Sequence, residues 1–317
     1  MRKTTKTTAI AVILAIIISA LVLSLIGCNQ SKQEQVFDLR YNTGFYYKGA
    51  VYTDIKIFKE GVETELDFGN YYITDRQIIN DNLYFLCFEN YLESVETASN
   101  LLHDWAILKF DLNGENKKEI FRTQSSASTD IQIGAFDIPV FDKFDNAYYY
   151  FINEGSKQTL YKYVLDENSS VKIADYDNGD MYLTGTTDEK HLWLSEQSDT
   201  DVHYQINKQT FELKQVEEIP TQEENIITAD GFTYYLKDEQ DNISGGKTLC
   251  KKSKTEDKII ADLSDILIFD DEHTLHAQIA GIENGKILTA IHGSGCGSFL
   301  KTLYWINIAT GEKTKIY

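Results

Sequence analysis

The sequence predicts an all-β fold, a propeller of six four-stranded blades, and three observations carry that prediction. A strand, polar turn, strand unit recurs along the chain: IKIFKEGVETEL from Ile55, ILKFDLNGENKKEIF from Ile107, LYKYVLDENSSVKIA from Leu160, VHYQINKQTFELKQV from Val202, TLCKKSKTEDKIIA from Thr248 and LYWINIATGEKTKIY from Leu303. Successive copies start 52, 53, 42, 46 and 55 residues apart, and a period of about 50 residues with some four short strands marks a propeller blade. In Leu303–Ile308 both parities of the strand carry large side chains, as expected for a sheet covered on two faces.

Taken in order, the units span 37–70, 71–125, 129–177, 178–221, 223–263 and 265–317. Ahead of each hairpin lies a turn residue and then a short aromatic or aliphatic strand. Asp81-Asn82-Leu83-Tyr84-Phe85, Asp145-Asn146-Ala147-Tyr148-Tyr149, Lys190-His191-Leu192-Trp193-Leu194, Asp230-Gly231-Phe232-Thr233-Tyr234 and Asn284-Gly285-Lys286-Ile287-Leu288 are these signals. The first copy, Thr43-Gly44-Phe45-Tyr46-Tyr47, is compressed, so the first blade is expected to borrow a strand from elsewhere in the ring; a seventh blade is compatible with the spacing. One sheet with two apolar faces cannot cover both alone, and stacking sheets radially solves this while leaving few exposed edges. The 20 tyrosines and 16 phenylalanines suit strands. With prolines only at 139 and 220, no proline-rich linker divides the chain.

The N-terminus reads as an address. MRKTTKTT is basic, Ala9–Ile26 carries no charge, and Leu25-Ile26-Gly27-Cys28 follows. This resembles the bacterial lipoprotein signal and its lipobox. The resemblance implies residues 1–27 as a cleaved signal peptide and diacylglyceryl modification of Cys28, with the protein held at the outer face of the cytoplasmic membrane. Two acyl chains anchor stably where one does not. The competing reading of the apolar run is an uncleaved membrane anchor, at the short end of spanning lengths. Residues 28–36 are polar and aperiodic and read as a flexible tether to a propeller over 37–317. Three further cysteines, Cys87, Cys250 and Cys296, allow at most one internal disulfide. Cys87 sits in an apolar run and is expected to be a buried thiol.

The formal charge is −19, and residues beyond 27 hold 27 basic against 49 acidic side chains. Such a field repels phosphate backbones, so nucleic acid is not an expected partner. A soluble, self-repelling surface accounts for the charge, and a basic ligand is the sharper reading.

Leu303-Tyr304-Trp305-Ile306-Asn307 is similar to the Leu-Tyr-Trp-Thr-Asp strand of low-density-lipoprotein-receptor-type propellers, and Ile107–Ile120 resembles the equivalent hairpin in bacterial secreted relatives of them. The period matches over 37–317, but Trp-Thr-Asp is degenerate in every copy. The resemblance therefore implies a fold and no ligand.

In a meandering blade with strands a to d, the a–b and c–d turns share one end, while b–c connections and blade-to-blade links share the other. The c–d turns are short. The b–c segments Glu89–Asp104, Asn153–Gln158, Ser195–Asp201, Lys237–Gly246 and His292–Ser298 are expected to be long, and binding usually resides on such loops. Tyr91, His103, Trp105, Asp199, Asp201, Asp241, His292 and Cys296 are the candidate binding-face residues. Tyr91, Val95, Ala98 and Leu102 fall at helical spacing, so Glu89–Asp104 is expected to hold a short helix.

Chemistry is harder to place. A Cys near a His in His292–Ser298 could form a nucleophile pair, but the run leads into a strand and reads as a flexible loop. His273 and His276 would face opposite sides of a strand, and Asp175–Asp180 lacks the spacing of a calcium loop. No catalytic residue, metal or cofactor is expected. The leading expectation is a membrane-anchored, non-catalytic module that binds a protein or glycan. The alternatives are a carbohydrate- or peptide-active hydrolase or lyase on a propeller scaffold, with shifted carboxylates at the channel mouth, and a solute-binding lipoprotein, which would be far more helical.

Overall fold

The computed structural model describes residues 35–39, 43–53, 55–89, 105–122, 139–154, 157–177, 181–196, 198–199, 201–220, 226–237, 246–267, 274–294 and 298–317. Every regular element among them is a strand, and the strands form six antiparallel sheets, each built from one continuous stretch of chain. Blade 1 holds β1 (Phe37–Asp38), β2 (Phe45–Tyr47), β3 (Ala50–Tyr52), β4 (Lys56–Lys59) and β5 (Val62–Glu65). Blade 2 holds β6 (Tyr71–Ile79), β7 (Asn82–Glu89), β8 (Trp105–Asp111) and β9 (Lys118–Arg122). Blade 3 holds β10 (Val140–Asp142), β11 (Ala147–Glu154), β12 (Lys157–Val164) and β13 (Ser169–Tyr176). Blade 4 holds β14 (Met181–Thr187), β15 (His191–Glu196), β16 (His203–Asn207) and β17 (Leu213–Val216). Blade 5 holds β18 (Ile226–Ala229), β19 (Phe232–Lys237), β20 (Thr248–Lys252) and β21 (Asp257–Asp262). Blade 6 holds β22 (Thr274–Glu283), β23 (Lys286–Ser294), β24 (Ser298–Asn307) and β25 (Lys313–Lys315).

Buried side chains pack between the sheets at five of the six junctions, including the one between the first sheet and the last. Tyr47 and Ile57 of blade 1 pack with Leu83 and Phe110 of blade 2, and Leu86 and Trp105 of blade 2 pack with Tyr148 and Tyr163 of blade 3. Tyr149 and Leu160 meet Leu183 and Leu192 of blade 4, and Tyr234 and Leu249 of blade 5 meet Ile279 and Ile306 of blade 6. The last cluster joins Leu288 and Leu303 of blade 6 to Phe37 and Val51 of blade 1. The chain's first strands and its last sheet therefore close the circle. The strong aromatic content is spent here, since each fully buried aromatic contributes about 1.5–3 kcal/mol.

The tight turns were readable because their residues tolerate φ > 0: Asn80 and Asp81, Asp230 and Gly231, and Asn284 and Gly285 all lie in that region. Blade 1 differs from expectation. It borrows no strand; five very short strands come from its own segment, and the innermost, β1, is two residues long. Closure uses no shared strand and is mostly by apolar packing. Phe37 lies against Gly281, where a Cβ would stand 2.1 Å from the ring, and its ring meets Trp305 edge-on at 5.7 Å.

Two of the five expected long loops are short. β11 and β12 are separated only by 155–156, and β23 and β24 only by 295–297. His292 and Gly293, expected in a flexible loop, are instead paired strand residues, opposite Leu300 and Phe299. Below, the end with the a–b and c–d turns is the turn end, and the other is the loop end.

Candidate functional site

Charge separates the two ends. By sequence, the connections at the loop end contain 22 acidic and two basic residues, against 12 acidic and six basic at the turn end. By sequence the loop-end connections are therefore the more acidic, at a net −20 against −6, although most of their acidic residues lie outside the described residues.

At the loop end, the best-defined polar patch lies on the β15–β16 hairpin. Ser195 and His203 are register partners, with Ser195 Oγ 2.9 Å from His203 Nδ1. Tyr204 donates to Glu196 Oε1 at 2.5 Å, which pushes the phenol's pKa up. Asp199 and Asp201 are exposed in the connection, where the Asp199 carboxylate accepts the Asp201 amide at 3.1 Å. Ser195 is only 2% exposed, so no substrate carbonyl reaches its Oγ without parting the strands. The Ser195–His203 pair acts as a cross-strand hydrogen bond.

Two candidates move off the surface. Trp105 is 1% exposed, wedged between blades 2 and 3 with Tyr150 edge-on at 4.9 Å and Phe121 at 5.0 Å. It opens β8 directly, so its side chain belongs to the blade interface. His292 is 2% exposed in the closing seam, its Nδ1 3.5 Å from Thr43 Oγ1. Burial depresses its pKa to about 4. It is neutral at physiological pH and lies too deep to meet a ligand. Cys28, Tyr91, His103, Asp241 and Cys296, and the helix expected between 89 and 104, lie outside the described residues. Cys87 and Cys250 are buried, and burial pushes the Cys87 thiol up to about 12, which leaves it unreactive. Among the described residues no group of three metal-ligating side chains comes together.

The turn end holds features the sequence reading missed. Tyr47 and Lys48 of blade 1 both donate to Asp81 of blade 2, at 2.7 and 2.8 Å; the lysine, and then the phenol, hold that carboxyl below its usual range. In blade 3, Tyr149 and Lys162 converge on Asp145 at 2.5 and 2.9 Å. Burial raises the Asp145 pKa, but these two hydrogen bonds outweigh it and the net shift is downward. Between blades 2 and 3 runs an open polar groove of about 310 Å³, lined by Tyr84, Lys109, Asp111, Lys118, Asp166 and Asn168 among others. Lys109 and Lys118 are direct cross-strand partners, and the Lys109 ammonium stands 5.6 Å from the Tyr84 ring centre. That pairing was visible in the hairpin register around Asn113-Gly114, but no spacing rule flags it as a groove.

On the innermost strand of blade 2, a bulge at Thr74 turns Asp75 toward blade 3. Its carboxylate accepts from the Arg76 amide at 2.8 Å, from Tyr148 at 3.0 Å and from Gln77 at 3.3 Å. Burial raises the Asp75 pKa despite these bonds. This is the kind of shifted inner carboxylate that the enzyme reading asks for. It is, however, already bound by three protein donors, an arrangement suited to joining two blades.

No protein-family model matches the chain, and no curated protein does. Among solved structures, it is similar to TolB from Acinetobacter baumannii at 12% identity, covering 84% of this chain and 62% of that one with a TM-score of 0.34. A protein from Listeria monocytogenes aligns at 11% identity, covering 80% and 84%, with a TM-score of 0.36. The β-propeller domain of the Trilobed protease from Pyrococcus furiosus aligns at 11%, covering 78% and 72%, with a TM-score of 0.28. The fold assignment rests on the six packed sheets.

Proposed function

We propose that this chain is a membrane-anchored extracytoplasmic propeller, a non-catalytic binding module that offers its loop end to a protein or glycan partner. Cys28 carries the lipid after cleavage behind Gly27. The observation that carries the reading is an asymmetry in the sequence between the strands: the connections that join strands at one end are on the whole longer and more acidic, and the turns at the other end are short. A field of this sign favours partners with basic or neutral, hydroxyl-rich surfaces.

The test is a pull-down from intact membranes with the acylated protein, beside a variant whose 92–101 and 240–244 segments are removed. The expected result is an unchanged circular-dichroism spectrum and loss of the partner. A partner retained at full strength by the shortened protein contradicts the choice of end.

A further inference from the structure

We infer that the ring stands on the membrane with its turn end toward the bilayer and its loop end pointing away. The inference rests on the lipid-anchor reading, and it fixes which surface can meet a partner.

The direction of β1 carries it. Phe37 pairs with Tyr46 and Asp38 with Phe45, and β2 runs on through Tyr47 into the turn at Lys48-Gly49. That turn is at the turn end, because Lys48 is bonded at 2.8 Å to Asp81 in the β6–β7 turn of blade 2. Antiparallel pairing then makes β1 run the other way, from the turn end inward. Two contacts on blade 6 agree. Phe37 sits on Gly281, near the β22–β23 turn, whereas Thr43, beyond β1, reaches His292 near the opposite end of β23. Residues 35 and 36 therefore lead in from the turn end, at the innermost position of blade 1.

Length makes the orientation binding. Nine residue steps separate Cys28 from Phe37, a reach of at most about 32 Å when fully extended. To bring the loop end to the bilayer, the tether would first cross to the rim, about 19 Å over the four strand spacings of blade 1. It would then descend the blade, about 30 Å for a strand the length of β6. The sum exceeds the reach, and chains do not thread through closed structures. Electrostatics point the same way. In this orientation the strand ends joined by the more acidic connections, by sequence, are lifted beyond the roughly 8 Å over which an anionic leaflet acts at physiological salt.

The experiment uses full-length acylated protein reconstituted in phosphatidylcholine–phosphatidylglycerol vesicles whose headgroups carry an energy-transfer acceptor. Cys296→Ser is the background, and a donor dye is attached through Glu189→Cys at the turn end or Asp199→Cys at the loop end, both exposed positions. Transfer from position 189 is expected to exceed that from 199 several-fold. A long glycine–serine insertion within 29–34 is expected to erase the difference. Equal or reversed transfer in protein that floats with the vesicles overturns the orientation alone. Protein that fails to float with them withdraws the anchor and the orientation together.

Discussion

The interface between blades 3 and 4 and the seam between blades 6 and 1 do the same job with different chemistry. Blades 3 and 4 are adjacent in sequence and are joined by polar struts. Gln158 exchanges two hydrogen bonds with the Met181 backbone, 2.7 Å to its carbonyl and 3.1 Å from its amide. Tyr176 donates to the Phe211 carbonyl at 3.0 Å, and Lys208 forms a buried ion pair with Asp142. At the seam the chain's two extremes meet, and the contact is mostly apolar: Phe37, Leu39 and Val51 against Leu288, Leu300 and Leu303, with Phe58 edge-on to Tyr317 at 5.2 Å. Directional bonds serve where the covalent link already limits how the blades can meet. Broad aromatic packing serves where no link and no shared strand hold them.

The contrast can be broken first at the struts. Lys208→Met strands the fully buried Asp142 carboxylate, and removing one partner of a buried pair costs about 3–5 kcal/mol. Chemical denaturation should show that loss, and adding Asp142→Leu should recover much of it. At the seam, Phe37→Ala should cost about 3 kcal/mol, near the lower bound for aromatic truncation because a two-residue strand can settle into the space.

His292 sharpens the comparison through pH. Its folded pKa, about 4, lies below its unfolded value of 6.5. Above pH 6.5 both states are neutral and the residue contributes no pH dependence. As the pH falls from 6.5 toward 4, the unfolded chain takes up the proton and the fold loses up to about 3 kcal/mol. His292→Gln should flatten that part of the melting-temperature profile, whereas variants at Gln158 should not. The smallest effect is expected at Asp75. Its raised pKa means that its contribution is greatest in acid and is lost as the pH rises through the folded value. Asp75→Asn should therefore be neutral or slightly stabilising at pH 7, read as an unchanged or higher urea midpoint.

Most of the ring was legible because its repeat is local. Turn residues such as Asn284-Gly285 and the hairpins from Ile107 and Leu303 are set by near neighbours, and all six sheets fall within the expected segments. The site was far less legible, for a reason the fold itself supplies. A blade covered on both faces shows large side chains at every position, so Trp105 and His292 look no different in sequence from surface residues. Depth is decided by the next blade, as where Tyr150 meets Trp105. The seam was hidden for the same reason: nothing near Phe37 announces Gly281. Asp75-Arg76 inside an apolar strand was an available signal of a buried polar contact.

Native-state hydrogen exchange on Phe37→Ala tests the closed ring most directly. Faster exchange is expected in β1–β3 and in β22–β24, at the opposite extreme of the chain, with β10–β17 unchanged. Faster exchange confined to residues 37–65, or spread evenly over all six blades, would contradict closure by packing between the first blade and the last.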